Sequence, residues 1–267
     1  MPRWNDGRRL DGRVAIVTGA NGGLGSVAAR ALGREGAKVA LGARNNRDVA
    51  DEAAAEIVKA GGEAHVGYLD VLDQGSIDAF VADTTQRYGG VDILVNSAGR
   101  IDPADAVRFD AIDPVAWDQI FAIDVKGSIL MCMAVVPIMR NKGAAGSIIN
   151  FGGSYGNGTN QDNMVNSVAI AFCAAKGAVR AMTAALARDL APEIRVNAVS
   201  PGPIAANWEA DWGIPQEHMK EAINMTPLKR LGDPMEIGET VVYLASDGAG
   251  YMTGQNLLVD AGWTLMG

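Results

Sequence analysis

A glycine-rich loop directly after a short apolar run is the first group of residues whose spacing indicates chemistry. Val14 to Val17 is continuously apolar, as in a strand that is buried on both faces. Gly19, Gly23 and Gly25 follow, and glycines let the backbone turn tightly and approach a charged group closely. Leu24 to Leu32 predicts a helix, whose free N–H groups and positive dipole end favour a pyrophosphate. The alternative is an ordinary strand-to-helix turn, but this context favours a bound nucleotide.

The elements that must position this loop alternate between strand-like and helix-like segments along the chain. Apolar runs predict strands at Val14–Val17, Lys38–Leu41, Ala64–Leu69, Asp92–Val95, Ser147–Phe151, Arg195–Val199 and Asn256–Val259. Amphipathic or long apolar segments predict helices at Leu24–Leu32, Asp48–Ala60, Gln74–Tyr88, Trp117–Met139, Ala169–Leu190 and Glu236–Leu244. This alternation predicts an α/β fold, a doubly wound parallel sheet in a single domain with helices on both faces.

Composition excludes several classes of function. The chain has 267 residues and a net charge of −8, and it has no basic stripe of the kind that binds nucleic acid. The segment from Met1 to Gly12 is polar, unlike a signal peptide, and the apolar run Ile129–Met139 is too short to span a bilayer. Cys132 and Cys173 lack metal-ligand spacing. We therefore expect a cytoplasmic protein with reduced thiols, no metal site and no membrane or nucleic-acid partner.

Four motifs identify a family resemblance. Thr18 to Gly25 is similar to the cofactor loop of the short-chain dehydrogenase/reductase family, and Asn96 to Gly99 resembles its Asn-Asn-Ala-Gly turn. Ser200 to Gly202 resembles the turn after the sixth strand, and the segments 253–255 and 259–262 resemble the C-terminal signature. The resemblance runs from about Leu10 to Trp263. It implies a Rossmann-type domain over residues 13–267 after a tail at 1–12, with a substrate lid at about 203–226.

The resemblance implies a nicotinamide dinucleotide as cofactor. The residues that match the family's cofactor contacts are Gly19, Asn21, Gly23, Leu24, Gly25, Asp70, Val71, Asn96, Ala98, Gly99, Lys176, Pro201 and Gly202. At the end of the second strand, an acidic residue would bind the ribose 2′-hydroxyl, but this chain has Ala43 and Arg44. Because a guanidinium binds phosphate in a bidentate manner, Arg44 favours NADP over NAD, although NAD stays possible. The alternative is that Arg44 covers the adenine or points into water.

The catalytic positions depart from the family pattern. Where the family has Tyr-x-x-x-Lys, this chain has Phe172 and Lys176, so only the lysine is retained. Gly153 takes the place of the family's serine, with Ser154 one residue later. Asp124 replaces the asparagine of the central helix. Ala206 stands where the family often has a threonine that holds the nicotinamide amide, so the departures cluster around one end of the implied cofactor site.

These departures matter because phenylalanine has no proton to give to an alkoxide. Loss of a positioned acid typically costs about 10²- to 10⁴-fold in rate. The first hypothesis is an oxidoreductase whose acid is relocated to Tyr155, Ser154 or Asp124, with Lys176 binding the nicotinamide ribose. Asp124 could instead pair with Lys176 or Lys126, and Tyr155 could simply pack under its loop.

The altered catalytic positions are also compatible with three alternatives to a relocated acid. The fold could serve redox-neutral chemistry, such as elimination, ring opening or isomerisation. It could also bind nucleotide without turnover. An engineered inactive variant would account for Phe172 but not for the departures at 124, 153 and 206.

The region after Pro201-Gly202 and the long helices predict substrate and partners. Trp208 and Trp212 suit a small apolar or aromatic substrate, or belong to a lid helix that packs on its own domain. The two histidines, His65 and His218, are expected to be structural and at the surface, respectively. Family members pair their long helices across two-fold axes, so the resemblance implies a homotetramer or homodimer.

Overall fold

Seven parallel strands form a single twisted sheet in the computed structural model, which describes residues 8–100, 109–143, 145–157, 169–205 and 216–266. The strands are β1 Val14–Thr18, β2 Lys38–Ala43, β3 Ala64–Tyr68, β4 Ile93–Asn96, β5 Gly146–Phe151, β6 Ile194–Pro201 and β7 Asn256–Val259. Their order across the sheet is β3-β2-β1-β4-β5-β6-β7. All six pairings are parallel, which confirms the predicted doubly wound architecture.

Helices cover both faces of this sheet. Their bounds are α1 Gly23–Arg34, α2 Asp48–Lys59, α3 Gln74–Tyr88, α4 Pro114–Phe121, α5 Ser128–Lys142, α6 Ile170–Leu190, α7 Gln216–Met225 and α8 Pro234–Ala245. One buried cluster joins α1, α2 and α8 to the sheet, and another joins α3, α5 and α6 to its opposite face. The strands are buried on both faces for this reason, which explains their nearly continuous apolar sequence.

The long central helix differs from the prediction of one regular helix over Trp117–Met139. The structure is helical from Pro114 to Lys142, and it contains a π-helical turn at Ala122–Gly127. Asp113 caps the start by accepting a hydrogen bond from the N–H of Val115, and Gly143 ends the helix in the left-handed conformation. The wider turn carries Asp124, and π-turns of this kind are frequent at functional sites.

The segment before β1 and the described part of the expected lid add to the sequence-based expectations. Leu10 belongs to the segment that resembled a tail, yet its side chain is 1 % exposed and its N–H donates to the carbonyl oxygen of Glu35. The described part of the expected lid comprises Pro203–Ala205 and α7, while Ala206, Trp208 and Trp212 lie outside the described residues. A short parallel bridge joins Ile204 to Gly232 and holds the start of this segment beside the turn before α8.

Two helical stretches are long and apolar enough, by length and composition, to cross a membrane. They are Pro114–Lys142 and Ile170–Leu190, and 44 % and 33 % of their most apolar windows are buried. Both pack one side against the sheet, as core helices of an α/β domain do. Their opposite sides leave apolar residues exposed, including Met133 at 66 %.

Candidate active site

A cavity of about 930 Å³ lies at the carboxyl ends of the strands, beside the point where the strand order reverses between β1 and β4. Open α/β sheets bind ligands in this crevice. Its described wall includes Gly19, Asn21, Gly23, Leu24, Gly25, Arg44, Asp70, Val71, Ala98, Gly99, Gly153, Phe172, Lys176, Pro201 and Gly202. Thus the structure brings together every cofactor position expected from the sequence except Asn96.

The glycine loop is shaped by close backbone approach. Gly19 has φ +64°, and a Cβ there would lie 2.7 Å from Cα of Ala98. A Cβ on Gly25 would lie 2.4 Å from the carbonyl oxygen of Gly19. Gly23 instead faces open space, with nothing within 4 Å of the place where a Cβ would stand. The loop therefore needs glycine for its own conformation at two positions and leaves room for a ligand at the third.

The amino end of α1 fits an anionic group. Gly22 precedes the helix without any side-chain cap, and the first turn contains no acidic residue. Thr18 Oγ1 accepts hydrogen bonds from the N–H groups of Ser97 at 3.1 Å and Ala98 at 2.9 Å, which fixes the turn after β4 beside the loop. N–H groups and a helix dipole that point into the cavity match the pyrophosphate of a dinucleotide.

Arg44 stands at the other side of the cavity, directly after β2. Its Nη1 atom lies 3.6 Å from Oδ2 of Asp70, which follows β3. The Arg44 side chain is 47 % exposed, so this ion pair is solvated and contributes little to stability. A cation held loosely at this edge is able to turn towards a phosphate on a bound ribose.

Asn96 lies behind the cavity wall. It is 3 % exposed, and its Nδ2 donates to Oδ1 of Asn150 at 2.9 Å. Asn150 in turn donates to Oγ1 of Thr183 on α6, also at 2.9 Å. Asn96 Nδ2 also lies 3.4 Å from the carbonyl oxygen of Ser128, so its contacts join β4 to β5 and α5 and, through Asn150, to α6. The neighbouring Ala98 and Gly99 do line the cavity.

Lys176 occupies the opposite end of the cavity from Arg44 and is held by two oxygens. Its Nζ donates to the carbonyl oxygen of Phe151 at 3.0 Å and forms an ion pair with Oδ1 of Asp124 at 2.8 Å. The two side chains are only 8 % and 0 % exposed. The other carboxylate oxygen of Asp124 accepts the N–H of Arg100 at 2.9 Å. Of the two partners considered for Asp124, the structure selects Lys176.

This pairing bears on the hypothesis that Asp124 is a relocated acid. Asp124 is not part of the described cavity wall, and its described carboxylate contacts are the ammonium of Lys176 and the N–H of Arg100. The role of Asp124 as a relocated acid therefore stays a prediction, and its contact with Lys176 places it where it can position that ammonium.

Phe172 and Gly153 form the wall beside Lys176. The Phe172 ring centroid lies 5.3 Å from Nζ of Lys176, within range of a cation–π interaction. A Cβ on Gly153 would lie 3.4 Å from Cγ of Lys176, an ordinary contact that leaves space for a small side chain. The N–H of Gly153 donates to Oγ of Ser200 at 2.9 Å. The two positions where the family pattern has hydroxyls thus present an aromatic ring and a backbone.

The other two candidates for a relocated acid differ in position. Ser154 is 2 % exposed and is not part of the described wall. Tyr155 belongs to a short 3-10 turn at Ser154–Asn157, and its side chain lies outside the described residues. Of the residues considered as catalytic, Lys176 is the one that the structure places in the described wall.

The cavity also contains residues that sequence reasoning missed. Arg100, Ile123, Phe151 and Trp263 line it. Arg100 directly follows the Asn-Ser-Ala-Gly turn, and this adjacency was a signal for its position. Trp263 follows the C-terminal signature, but it reaches the cavity through the tertiary folding of the last turn, Trp263–Met266, which no local pattern indicates.

Comparison with known proteins identifies the class of enzyme. A family model described as enoyl-(acyl carrier protein) reductase matches residues 19–264. A 2,5-dichloro-2,5-cyclohexadiene-1,4-diol dehydrogenase from Sphingobium indicum is 35 % identical over 262 residues, which cover 96 % of this chain and 98 % of that protein. A cyclopentanol dehydrogenase from Comamonas testosteroni is 36 % identical over 264 residues, again covering 96 % and 98 %.

A solved structure agrees with these relatives. A double mutant of a short-chain dehydrogenase/reductase from Serratia marcescens superposes with a TM-score of 0.86 at 28 % identity, covering 96 % of this chain and 99 % of that one. The chain belongs to the short-chain dehydrogenase/reductase family. It is an oxidoreductase with a Rossmann-type fold.

Proposed function

We propose that this enzyme prefers NADP and transfers hydride between the nicotinamide and a small apolar or aromatic carbonyl or alcohol, in an active site of non-standard composition. The observation that carries the proposal is the continuous cavity that joins Arg44, the glycine loop and Lys176. The dehydrogenases named above act on cyclic alcohols and diols, which supports a cyclic substrate. NAD is the alternative cofactor.

A bound nicotinamide dinucleotide would supply or accept the hydride. The N–H groups at the start of α1 would bind its pyrophosphate, with Asn21, Leu24 and Gly25 around it. Asp70 and Val71 would contact the adenine, and Arg44 would bind a 2′-phosphate. Lys176, already aligned by Asp124 and the Phe151 carbonyl, would donate hydrogen bonds to the nicotinamide ribose.

Two hydroxyl side chains next to Gly153 in the sequence are the candidate proton donors. Tyr155 is the phenol close in sequence to the reactive end, and Ser154 is the hydroxyl beside Gly153. Asp124 would contribute by holding Lys176. If substrate turnover needs a donor from the chain, Tyr155→Phe should lower kcat with little effect on nucleotide affinity.

Nucleotide binding and turnover test the proposal in sequence. Titration with NADPH and NADH, followed by quenching of tryptophan fluorescence, should show tighter binding of NADPH. A panel of cyclic alcohols and ketones, beginning with cyclopentanol, should then show turnover. Failure to bind either nucleotide would overturn the proposal. Binding with no redox turnover of any substrate would favour redox-neutral chemistry or a non-catalytic role on the same fold.

We also propose that the enzyme assembles as a homotetramer or homodimer. The sides of α5 and α6 that face away from the sheet are apolar or small, with Met133 and Ala181 exposed. A second copy with the same surface would bury these residues.

A further inference from the structure

The reactive end of the cavity combines an aromatic wall with a neutralised cation. Phe172 lines it beside Lys176, and Gly153 adds backbone only, while Phe151 and Trp263 also line the cavity but are just 7 % and 5 % exposed. Lys176 is the ionisable acid in this part of the described wall, and its charge is balanced at 2.8 Å by Asp124. Arg100 also lines the cavity; its guanidinium does not release a proton at neutral pH, and its Nη1 donates a hydrogen bond to Oε1 of Gln119.

With this composition, we expect reduction of a neutral carbonyl to be slower than hydride transfer to an acceptor that needs no acid. Hydride addition to C=O creates a negative oxygen, which a positioned acid or a hydrogen-bond donor must stabilise as it forms. Removing one such donor costs about 10²- to 10³-fold in kcat. Of the two positions where the family pattern has hydroxyls, Phe172 has no hydrogen-bond donor, and the N–H of Gly153 is already bonded to Oγ of Ser200 at 2.9 Å.

We propose that the preferred hydride acceptor is a carbon–nitrogen double bond that is already cationic, the iminium ion of an apolar cyclic amine. This inference rests on the proposed function, because it requires a bound nicotinamide. The iminium carbon accepts a hydride, one proton with two electrons, and forms a new C–H bond. The π pair of C=N becomes the lone pair of the amine nitrogen, and the nicotinamide ring takes over the positive charge.

The charge balance of this step explains why the site functions without the missing groups. One positive charge is present before and after the transfer, and no oxyanion forms, so no proton has to be delivered. The reverse reaction, oxidation of a neutral amine, needs no base for the same reason. The protein has only to hold a diffuse cation against the nicotinamide, and the requirement for an acid at position 172 disappears.

The wall residues suit such a cation. Aromatic faces attract diffuse cations by about 0.5–2 kcal/mol, depending on desolvation. The Phe172 ring already lies 5.3 Å from the ammonium of Lys176, which shows that it tolerates positive charge beside it. Because Asp124 neutralises Lys176, that ammonium repels a second cation less than an unpaired one would. The net charge of −8 also attracts cationic substrates to the protein.

Paired substrates of one ring skeleton test this inference. N-methyl-3,4-dihydroisoquinolinium is a permanent cation that cannot exchange a proton at nitrogen, and 1-tetralone is a neutral ketone of similar size. With NADPH, we expect kcat/KM for the iminium to exceed that for the ketone by at least about 100-fold. The iminium rate should stay constant between about pH 6 and pH 9, because no group on the protein has to change protonation state.

Binding supplies a readout that is independent of turnover. Calorimetry on the nucleotide-free protein should show tighter binding of the iminium than of the ketone. Phe172→Leu removes the aromatic face and should lower the ratio of the two affinities about twofold to thirtyfold, the range expected for a cation–π contact. The same ratio in Phe121→Leu serves as the comparison, because Phe121 stacks on Trp117 and is not part of the described wall.

Restoring the family's hydroxyls provides the opposite test. The double variant Gly153→Ser with Phe172→Tyr fits the available space, since a Cβ at 153 makes only an ordinary contact with Lys176. This double variant should raise kcat/KM for the ketone and so lower the ratio of kcat/KM for the iminium to kcat/KM for the ketone. Circular dichroism establishes that the double variant is folded, and NADPH titration establishes that it binds the nucleotide.

Several results would overturn the inference. Equal turnover of ketone and iminium in the unchanged enzyme would do so, as would failure to reduce the iminium while NADPH binds. Strong ketone reduction that is lost in Tyr155→Phe would show instead that Tyr155 is the acid. Failure to bind any nicotinamide nucleotide would refute the proposed function itself, and is read from the titration before any substrate is added.

Discussion

Lys176 and Asp124 form the pair on which the reactive end of the site depends. Neither side chain is more than 8 % exposed, and both charges lie within the protein. Burying two charges is costly, and their attraction compensates only when geometry and further hydrogen bonds are good. Here the Phe151 carbonyl and the Arg100 N–H supply those further bonds. The pair therefore keeps the ammonium at a fixed position in the cavity wall.

Removal of one member of this pair should be more damaging than removal of both charges. Lys176→Met leaves the Asp124 carboxylate buried without a counter-charge and should lower the free energy of unfolding by about 3–5 kcal/mol. Addition of Asp124→Asn should recover most of that loss, because a neutral amide still accepts the N–H of Arg100. Urea unfolding of the two variants and the wild type measures this coupling. Equal stability of Lys176→Met and the double variant would contradict the buried ion pair.

Arg44 should determine the choice between the two nucleotides. Hydrogen bonds to charged groups contribute about 1.5–3 kcal/mol, so Arg44→Ala should weaken NADPH binding about tenfold to 150-fold and change NADH binding much less. Arg47→Ala is the matched control, because Arg47 bonds the carbonyl of Val66 and does not line the cavity. Fluorescence titration of both variants with both nucleotides measures these affinities. An equal loss of affinity for NADPH and NADH would indicate that Arg44 contacts the adenine and not the 2′-phosphate.

At the residue scale, the two ends of the cavity differ in how far sequence could predict them. The cofactor end depends on short local motifs, and a motif such as Gly19 to Gly25 fixes both conformation and chemistry. The reactive end depends on contacts between distant segments. Asp124 and Lys176 are far apart in sequence, and the choice between Lys126 and Lys176 as partner required the fold. Trp263 was missed because only the last turn brings it to the cavity.

At the scale of elements, the glycine loop and α1 act as one unit. A Cβ on Gly25 would meet the carbonyl oxygen of Gly19 at 2.4 Å, whereas a Cβ on Gly23 would meet nothing within 4 Å. Gly25→Ala should therefore lower Tm, since backbone must move. Gly23→Ala should leave Tm nearly unchanged and weaken nucleotide binding, because its methyl group enters the space for the pyrophosphate. Differential scanning fluorimetry and nucleotide titration separate the two effects; tight binding by Gly23→Ala would place the pyrophosphate elsewhere.

The contact between β3 and α3 should make stability depend on pH. His65 on β3 lies 3.3 Å from the carboxylate of Asp83 and the hydroxyl of Tyr88, both on α3. Burial lowers the pKa of His65 below its usual value, and Asp83 offsets this only in part. The unfolded chain therefore binds more protons than the folded chain below about pH 6.5, and stability falls as the pH drops through that value.

His65→Gln removes this titration and provides the measurement. The fall in Tm between about pH 7.5 and pH 5.5 should be smaller in His65→Gln than in the wild type. Carboxylates elsewhere titrate equally in both proteins, so the difference isolates His65. A larger fall in the variant would mean that Asp83 dominates and that protonation of His65 stabilises the fold.

The elements themselves were largely predictable, because apolar runs and helical periodicity are local. The exceptions have physical causes. The π-turn at Ala122–Gly127 depends on the packing of its surroundings, where a Cβ on Gly127 would lie 2.6 Å from Val71. The helix start at Pro114 depends on a cap by Asp113 that precedes the apolar pattern. Asn96 matches a cofactor contact of the family, but its side chain bonds Asn150, a contact that depends on the pairing of β4 with β5 and has no local sequence pattern.

At the scale of the whole molecule, the two long helices have faces that the sheet does not cover. Only 33 % of the most apolar window of α6 is buried, and Met133 on α5 is 66 % exposed. The proposed assembly would cover these faces with a second copy of the chain. Isologous pairing of the same surface would place two α5–α6 units face to face.

A charge on this surface should dissociate the assembly. Met133→Glu would bury a carboxylate in an apolar interface, and the cost of desolvating an unpaired charge disfavours association. Val58→Glu is the matched control, because Val58 is 54 % exposed on α2, on the other side of the sheet. Light scattering after size exclusion should show a dimer or tetramer for the wild type and Val58→Glu, and a smaller species for Met133→Glu. A monomeric wild type would refute the assembly, and an unchanged Met133→Glu oligomer would show that the interface does not include Met133.

Dissociation should also weaken nucleotide binding, because α6 carries Phe172 and Lys176 on the side that lines the cavity. Fluorescence titration of Met133→Glu with NADPH measures this effect.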